Sequence, residues 1–439
     1  MTAKREINTV AVMGAGTMGS GIAAHCAGKG LKVLLLDVPA KEGGRNAIAE
    51  AAKARMLEGR SPLLDDAGQA ARIETGNFED DLARVGEADL IVEAIVEDLA
   101  AKRALFEKLE AVRAEGSFLA SNTSGIPLKA ISAGLPARLR RDVAITHFFN
   151  PVKVMKLVEL VPGEDTSAEV IAALDGFLSK RLEKGVVHAK DTVNFIANRV
   201  GCFWMLAGLA EADGLSIEEV DAAMSAPVGV PATGLFGLVD LVGLDVMGLV
   251  ASNLAENLPA DDPGRAYTEL PAPIQAMLKR GQLGRKSGGG FYRMSRTEDG
   301  GRLRETYDYA SDSWRPSRTV ELPQAERDLS GLLFSDSAVG RFAWTVMGGT
   351  LLYAARLVPE ISDTIVGVDR AMRWGFAWKR GPFQMLDALG PARVIARLEA
   401  EGRPLPRMLT VLKDAGADRF YRAEGAEALG PDGDWQAVS

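Results

Sequence analysis

The residues of this chain best suited to chemistry stand in one stretch, His147-Phe148-Phe149-Asn150-Pro151, which runs on to Glu159 in Lys156-Leu157-Val158-Glu159-Leu160. The sequence holds three histidines, and His147 ends an apolar β-type run, Val143-Ala144-Ile145-Thr146. The end of a strand is where an α/β sheet presents groups to a ligand. Imidazole is also the side chain whose ordinary pKa suits proton transfer near neutrality. Pro151 disfavours helix at Asn150 and re-aims the chain. A second alternating run then brings Glu159 back beside the imidazole. A carboxylate on one ring nitrogen would fix the tautomer and leave the other nitrogen to take a proton. The same two residues would also fit a hydrogen-bonded core histidine and an unrelated glutamate, because carboxylate–imidazole pairs are common in structural networks.

A second constellation lies near the start. Residues 7–12 read as a short buried strand, and Met13-Gly14-Ala15-Gly16-Thr17-Met18-Gly19 follows at once and opens a helix through Ala27. The next strand, Leu31-Lys32-Val33-Leu34-Leu35-Leu36, ends at Asp37, 18 positions after Gly19. Strand, GxGxxG, helix, strand and acid together form the context of a dinucleotide-binding turn. Gly14 permits the tight turn, Gly16 the approach of a pyrophosphate, and Gly19 the packing of helix on strand, while the first turn at Thr17 and Met18 offers backbone donors to phosphate. Asp37 would accept from the ribose hydroxyls and repel a 2′-phosphate, which favours NAD over NADP. A tight turn without a ligand is the alternative.

Strand and helix continue to alternate. Residues 72–76 and 88–96 read as strands, 99–113 as a helix and 117–120 as a strand capped by Ser121-Asn122-Thr123-Ser124-Gly125. That polar run faces the ligand crevice in an open sheet, or else caps the next segment. Residues 182–188 form one more strand in which His188 is expected to be buried, and His25 is expected to pack inside the first helix. The alternation predicts a Rossmann-type doubly wound sheet of parallel strands. Residues 39–70 read as helices broken at Gly59 and Pro62, whose Lys53, Arg55 and Arg60 would meet solvent or an anionic substrate tail.

From Phe195 the chain reads helical, with Asn198-Arg199 near the start of the helix, where a side chain can reach back into the cleft. Val220-Asp221-Ala222-Ala223-Met224 followed by Phe236-Gly237-Leu238-Val239-Asp240 returns as Val368-Asp369-Arg370-Ala371-Met372 followed by Phe383-Gln384-Met385-Leu386-Asp387, at offsets of 148 and 147 residues. This predicts two all-α domains related by internal duplication. The expected divisions are 1–190 for the nucleotide domain, 191–295 for the first helical domain, 296–327 for an aperiodic linker, 328–425 for the duplicate, and 426–439 for a loop-like tail.

Composition narrows the class. A formal charge of −8 and the lack of a basic run argue against nucleic acid. Cys26 and Cys202 stand far apart, with no disulfide framework and no metal signature, as in a reducing cytoplasm. No export segment opens the sequence, and the most apolar later stretch, residues 235–250, carries Asp240, Asp245 and glycines, so no membrane span is expected.

These motifs resemble those of the NAD-dependent L-3-hydroxyacyl-CoA dehydrogenases of fatty-acid β-oxidation. The resemblance covers nearly the whole chain: the glycine turn, Val92-Glu93-Ala94-Ile95-Val96-Glu97, Ser121-Asn122-Thr123-Ser124, His147 through Pro151, Asp191 through Arg199, and Gly284-Arg285-Lys286-Ser287-Gly288-Gly289-Gly290-Phe291-Tyr292. The duplication looks like the dehydrogenase portion of multifunctional β-oxidation proteins, without a hydratase segment. The resemblance implies His147 and Glu159 as the catalytic pair, Ser124 and Asn198 on the substrate oxygen, and Glu97, Lys102 and Asn122 around the cofactor, with Asp37 on its ribose. It also implies an acyl-CoA substrate, a hydratase or thiolase partner or fused domain, and a monomer whose two helical copies mimic the relatives' dimer. Two stretches depart from the family: Asp191-Thr192-Val193-Asn194 replaces its usual Asp-Thr-Pro-Gly, and residues 39–70 match poorly. Competing readings are a dehydrogenase of small 3-hydroxy acids, which would usually use a lysine base, and a non-catalytic NAD-binding scaffold such as a crystallin.

Overall fold

Short apolar runs bounded by Gly, Asp and Asn become the strands of the first half: β1 (Thr9–Met13), β2 (Lys32–Asp37), β3 (Ile73–Asn77), β4 (Leu90–Glu93), β5 (Phe118–Ser121), β6 (Val143–Phe148), β7 (Leu157–Pro162) and β8 (Gly185–His188). Helix α1 (Thr17–Gly28) follows β1, and α2 (Leu99–Val112) follows β4. The computed structural model describes residues 6–297, 299–309 and 311–438, and the chain divides into two compact units between Phe195 and Ile196.

In the first unit the strands form one sheet in the order β3-β2-β1-β4-β5-β6-β7-β8, whose first six members have the doubly wound arrangement of dinucleotide-binding folds. The strands from β3 to β6 are parallel, but β7 runs antiparallel to β6 and β8 parallel to β7. This corrects the expectation of a wholly parallel sheet. The connection 149–156 is shorter than the dozen or so residues that a parallel crossover needs, so β6 and β7 pair as a hairpin.

Three other expectations change. His188 is exposed rather than buried, and its Nε2 lies 2.6 Å from Asp175, because the alternation of β8 turns Val187 inward and the next residue outward. Of residues 39–70, only Ala47–Arg55 and Ala67–Ala70 are helical; Gly43 and Gly59 adopt positive φ and interrupt the rest. Within that segment Lys53 donates to the Ile73 carbonyl at 2.5 Å. His25 does pack inside, its Nε2 2.9 Å from the Leu182 carbonyl, and burial pushes its pKa down to about 4.

The second unit is built around α3 (Ala197–Glu211), which is apolar and buried on nearly every side, as a central helix must be. Two glycines let neighbours come close. A Cβ on Gly201 would lie 2.0 Å from the Phe376 ring, and one on Gly208 would lie 2.0 Å from Leu235. Leu235 belongs to the first sequence copy and Phe376 to the second, so α3 holds both.

The duplication is visible in hydrogen bonding. In the first copy, α4 (Ile217–Ala223) carries Asp221, which accepts from the amides of Phe236 and Gly237 at the start of α5 (Gly234–Val242), at 2.7 and 3.2 Å. Asp240 on α5 accepts from Phe291 and Tyr292, both at 2.8 Å, and the Tyr292 hydroxyl returns to Asp221 at 2.8 Å. In the second copy, Asp369 on α6 (Ile365–Gly375) accepts from Phe383 and Gln384 of α7 (Pro382–Leu389) at 2.8 and 3.1 Å. Asp387 accepts from Phe420 and Tyr421 at 2.6 and 3.0 Å, and the Tyr421 hydroxyl returns to Asp369 at 2.7 Å. Burial pushes both Asp221 and Asp369 up to about 7.

The helical unit is not purely helical. Strands β9 (Tyr292–Arg296), β10 (Arg302–Asp308) and β11 (Ser313–Pro316) form an antiparallel sheet across the expected linker. Strands β12 (Tyr421–Arg422), β13 (Glu427–Leu429) and β14 (Trp435–Ala437) order the expected tail. Both segments look polar in sequence because arginines supply the packing surface. Arg304 lies 3.8 Å from the Tyr292 ring centroid, Arg293 lies 4.6 Å from that of Trp314, and Arg422 lies 4.2 Å from that of Trp435. No single helix among the described residues is long and apolar enough to cross a membrane.

Substituting Gly201→Ala should overpack α3 against Phe376 and cost about 1–3 kcal/mol. Gly176→Ala, where an added Cβ meets nothing within 4 Å, should be neutral or stabilising. Urea unfolding of the two variants separates the outcomes.

Candidate active site

The β6–β7 hairpin sets His147 and Glu159 directly opposite one another in register. Their side chains point to the same face, and His147 Nδ1 lies 2.7 Å from Glu159 Oε2. Glu159 is fully buried and His147 is 5 % exposed. The rings of Phe149 and Phe195 flank the imidazole, with centroids 4.4 and 5.6 Å away. With Nδ1 held by the carboxylate, the Nε2 edge is the one left for a reacting group. An imidazolium formed there would be stabilised by a buried negative charge.

The ends of β4 and β5 form a second network. Glu93, fully buried at the end of β4, accepts from Lys102 Nζ at 2.7 Å, the Ser121 hydroxyl at 2.5 Å and the Ile95 amide at 2.8 Å. Lys102 lies 3.2 Å from Glu97 Oε2. The other oxygen of Glu97 accepts from the Thr123 hydroxyl at 2.6 Å and from the Ser124 and Gly125 amides, both at 3.0 Å. Burial opposes ionisation of Glu97, but Lys102 and these donors outweigh it and hold the carboxyl below its usual range. Glu97 and Lys102 therefore fix the loop that presents Ser124, whose side chain is exposed. Asn122 links this loop to the histidine strand, its Oδ1 accepting from the Phe148 amide at 2.9 Å.

The glycine turn has room for the pyrophosphate of a dinucleotide. Gly14 sits at φ +113°, and a Cβ there would lie 2.5 Å from the Ala94 carbonyl oxygen; one on Gly19 would lie 1.8 Å from the Gly14 oxygen. A Cβ on Gly16 would meet nothing within 4 Å, so the space over that residue is open. Gly16 caps α1 without a side-chain hydrogen bond, which leaves the amides of Thr17 and Met18 to a ligand. Asp37 ends β2 beside this turn, with Oδ2 2.5 Å from the Ala15 amide and Oδ1 2.7 Å from that of Val38. A carboxylate so placed has lone pairs left for a ribose diol.

Thus the first unit contains the glycine turn, Asp37, Glu97, Lys102, Asn122, Ser124, His147 and Glu159, whereas Asn198 is the second residue of α3 and belongs to the other unit. Arg199 has partners within its own unit. It is buried among Tyr353, whose hydroxyl is 2.5 Å from Nε, and Asp262. The departure at residues 191–194 has a simple reading. Asp191 accepts from the Leu128 and Lys129 amides at 2.6 and 2.7 Å, and Asn194 takes φ +60°. Asparagine is among the non-glycine residues that tolerate this left-handed conformation best, so it can stand where the family has glycine. Phe195 follows at φ +50° and places its ring against His147. Glu93 and Ser121 received no role from the sequence. Their signal was an acid inside the apolar strand Leu90-Ile91-Val92-Glu93.

Substituting Lys102→Met would leave Glu93 buried without its cation, a change that typically costs about 3–5 kcal/mol. Adding Glu93→Gln to that variant should recover much of the loss. A double-mutant cycle by denaturant unfolding that gives additive effects would refute this coupling.

Comparison with known proteins identifies the family. The family described as 3-hydroxyacyl-CoA dehydrogenase, NAD binding domain, matches residues 9–192, and its C-terminal domain matches residues 195–294. A probable 3-hydroxyacyl-CoA dehydrogenase of Bacillus subtilis is 34% identical over 99% of this chain and 58% of its own length. A putative fatty acid oxidation complex trifunctional enzyme of Rickettsia felis is 38% identical over 92% of this chain and 57% of its own length. The chain thus spans little more than half the length of these relatives. The crystal structure of 3-hydroxybutyryl-CoA dehydrogenase from Escherichia coli K12 superimposes with a TM-score of 0.67 at 25% identity, over 92% of this chain and 98% of that one. With matches that run through both units, this chain belongs to the 3-hydroxyacyl-CoA dehydrogenase family.

Proposed function

We propose that the chain catalyses the NAD-dependent oxidation of a (3S)-3-hydroxyacyl-CoA to the 3-ketoacyl-CoA, as in fatty-acid β-oxidation. The observation that carries this reading is the 2.7 Å contact committing His147 Nδ1 to Glu159, in the same sheet as the open glycine turn. His147 Nε2 takes the proton of the substrate 3-hydroxyl, and Glu159 holds the ring in one tautomer and stabilises the imidazolium. Ser124 donates to the reacting oxygen as its charge changes, a role the family resemblance extends to Asn198. The glycine turn and Asp37 would hold NAD, which would supply the acceptor for the hydride leaving C3. Glu97, Lys102 and Asn122 keep the loops of this site in place.

The helical copies at 191–295 and 328–425 act as the duplicated C-terminal domain of a monomer located in the cytoplasm, with 1–190 as the nucleotide domain. The name of the trifunctional Rickettsia relative supports a hydratase or thiolase acting alongside, as a partner or a fused domain.

His147→Gln should lower turnover by about 10²–10⁴-fold with little change in NADH affinity, assayed as NADH oxidation by acetoacetyl-CoA and a longer 3-ketoacyl-CoA. Near-native turnover would refute the assignment. Glu159→Gln should also slow the reaction, through lost orientation of the ring. Asp37→Ala should weaken NAD more than NADP in a direct titration, and an unchanged preference would remove its ribose role.

A further inference from the structure

In both helical copies the carboxylate–tyrosine clamp lines a cavity. Gly237, Asp240 and Tyr292 line the first, of about 800 Å³; Gln384, Asp387 and Tyr421 line the second, of about 600 Å³. The two have diverged in what surrounds the clamp. In the first, the basic lining residues are Arg285, Arg293 and Arg304, of which Arg293 is paired with Glu305 at 2.7 Å and Arg304 is stacked on Tyr292. In the second, the walls are Arg370, Arg373, Lys379 and Arg380, with Asp369, Asp387 and Glu424 as the acidic lining residues.

We propose that the second cavity binds a small polyanion bearing two or more phosphates. Arg373, Lys379 and Arg380 are exposed, and among the described residues none of the three has a carboxylate within ion-pairing distance. Two of the three acids are turned toward other donors. Asp369 takes the amides of Phe383 and Gln384 and the Tyr421 hydroxyl, and Asp387 takes the amides of Phe420 and Tyr421. Like charges brought together without direct ion-pair partners repel one another, and a bound anion relieves that repulsion. This concentration of cations is also contrary to the chain's net charge of −8, so composition does not account for it. Guanidinium forks match phosphate oxygens in pairs, and a concavity of this volume suits a small molecule. A di- or triphosphate, free or on a nucleoside, is the ligand that uses three cations within one cavity.

The test is calorimetric titration of the full chain with inorganic pyrophosphate and with ADP, both in saturating NADH so that the dinucleotide turn is filled. Pyrophosphate should bind, more weakly as salt is raised, and Arg373→Glu with Arg380→Glu should weaken it by about tenfold or more. Lys379→Ala should give a smaller loss. The exposed positions of these residues predict unchanged thermal unfolding and NADH affinity in the variants. Tighter binding of ADP than of pyrophosphate supports a nucleotide, and equal binding supports a free polyphosphate. Wild-type protein that fails to bind either probe, or variants that bind both as wild type does, would overturn the proposal.

Discussion

Backbone amides at the ends of strands and helices need acceptors, and at nearly every functional turn of this chain the acceptor is a buried or half-buried carboxylate. Asp37 serves the glycine turn, Glu97 the Ser124 loop, Asp191 the segment at Leu128, and Asp221, Asp240, Asp369 and Asp387 the helix and strand starts of the second unit. Hydrogen bonds to a charged acceptor contribute about 1.5–3 kcal/mol each, and a fork of two fixes direction as well as distance. Loops held in this way are tied directly to the elements they join, and accurate positioning is what a reaction between fixed groups requires.

The histidine pair also rests on a buried carboxylate. Glu93 and Asp221 have three donors each, so their oxygens are engaged in holding structure. Glu159 presents an oxygen to an imidazole whose far nitrogen faces away from it. The hairpin is what makes this possible, since antiparallel pairing sets one residue of each strand opposite the other and on one face. A parallel β7 would have required a crossover and separated the two residues in register.

Much of this was legible in the sequence because it rests on local rules. The strand–GxGxxG–helix unit and Asp37 follow from periodicity and spacing, whereas spacing left the pairing of His147 with Glu159 open and the family resemblance favoured it. The reversal of β7 was also legible in the short 149–156 connection, once loop length is weighed above the alternation of strand and helix. The two small sheets were hidden for a different reason. Their packing surface is the stem and plane of arginine, as with Arg304 on Tyr292 and Arg422 on Trp435, and hydropathy counts such residues as solvated. The repeated Phe-Tyr pair, at residues 291–292 and 420–421, was the available sign that each helical copy closes on a strand. Asp262, Tyr353 and Glu360, which meet Arg199, lie 63, 154 and 161 positions away, beyond the reach of any local pattern.

Duplication within one chain also frees the copies to differ. Two protomers of a symmetric dimer must carry the same site twice, whereas here Gly237 is answered by Gln384 and the three-stranded sheet β9–β11 by the shorter strands β12–β14. The clamp itself is kept in both copies because its acceptors hold the ends of α5 and α7, and losing one would strand buried amides. Residues lining the cavity above the clamp are under no such requirement. In the first copy Arg293 and Arg304 are drawn onto Glu305 and Tyr292, but in the second Arg373, Lys379 and Arg380 have no such partner among the described residues. Packing constraint thus decides which parts of the repeat stay fixed, and freedom from it decides where new chemistry can arise.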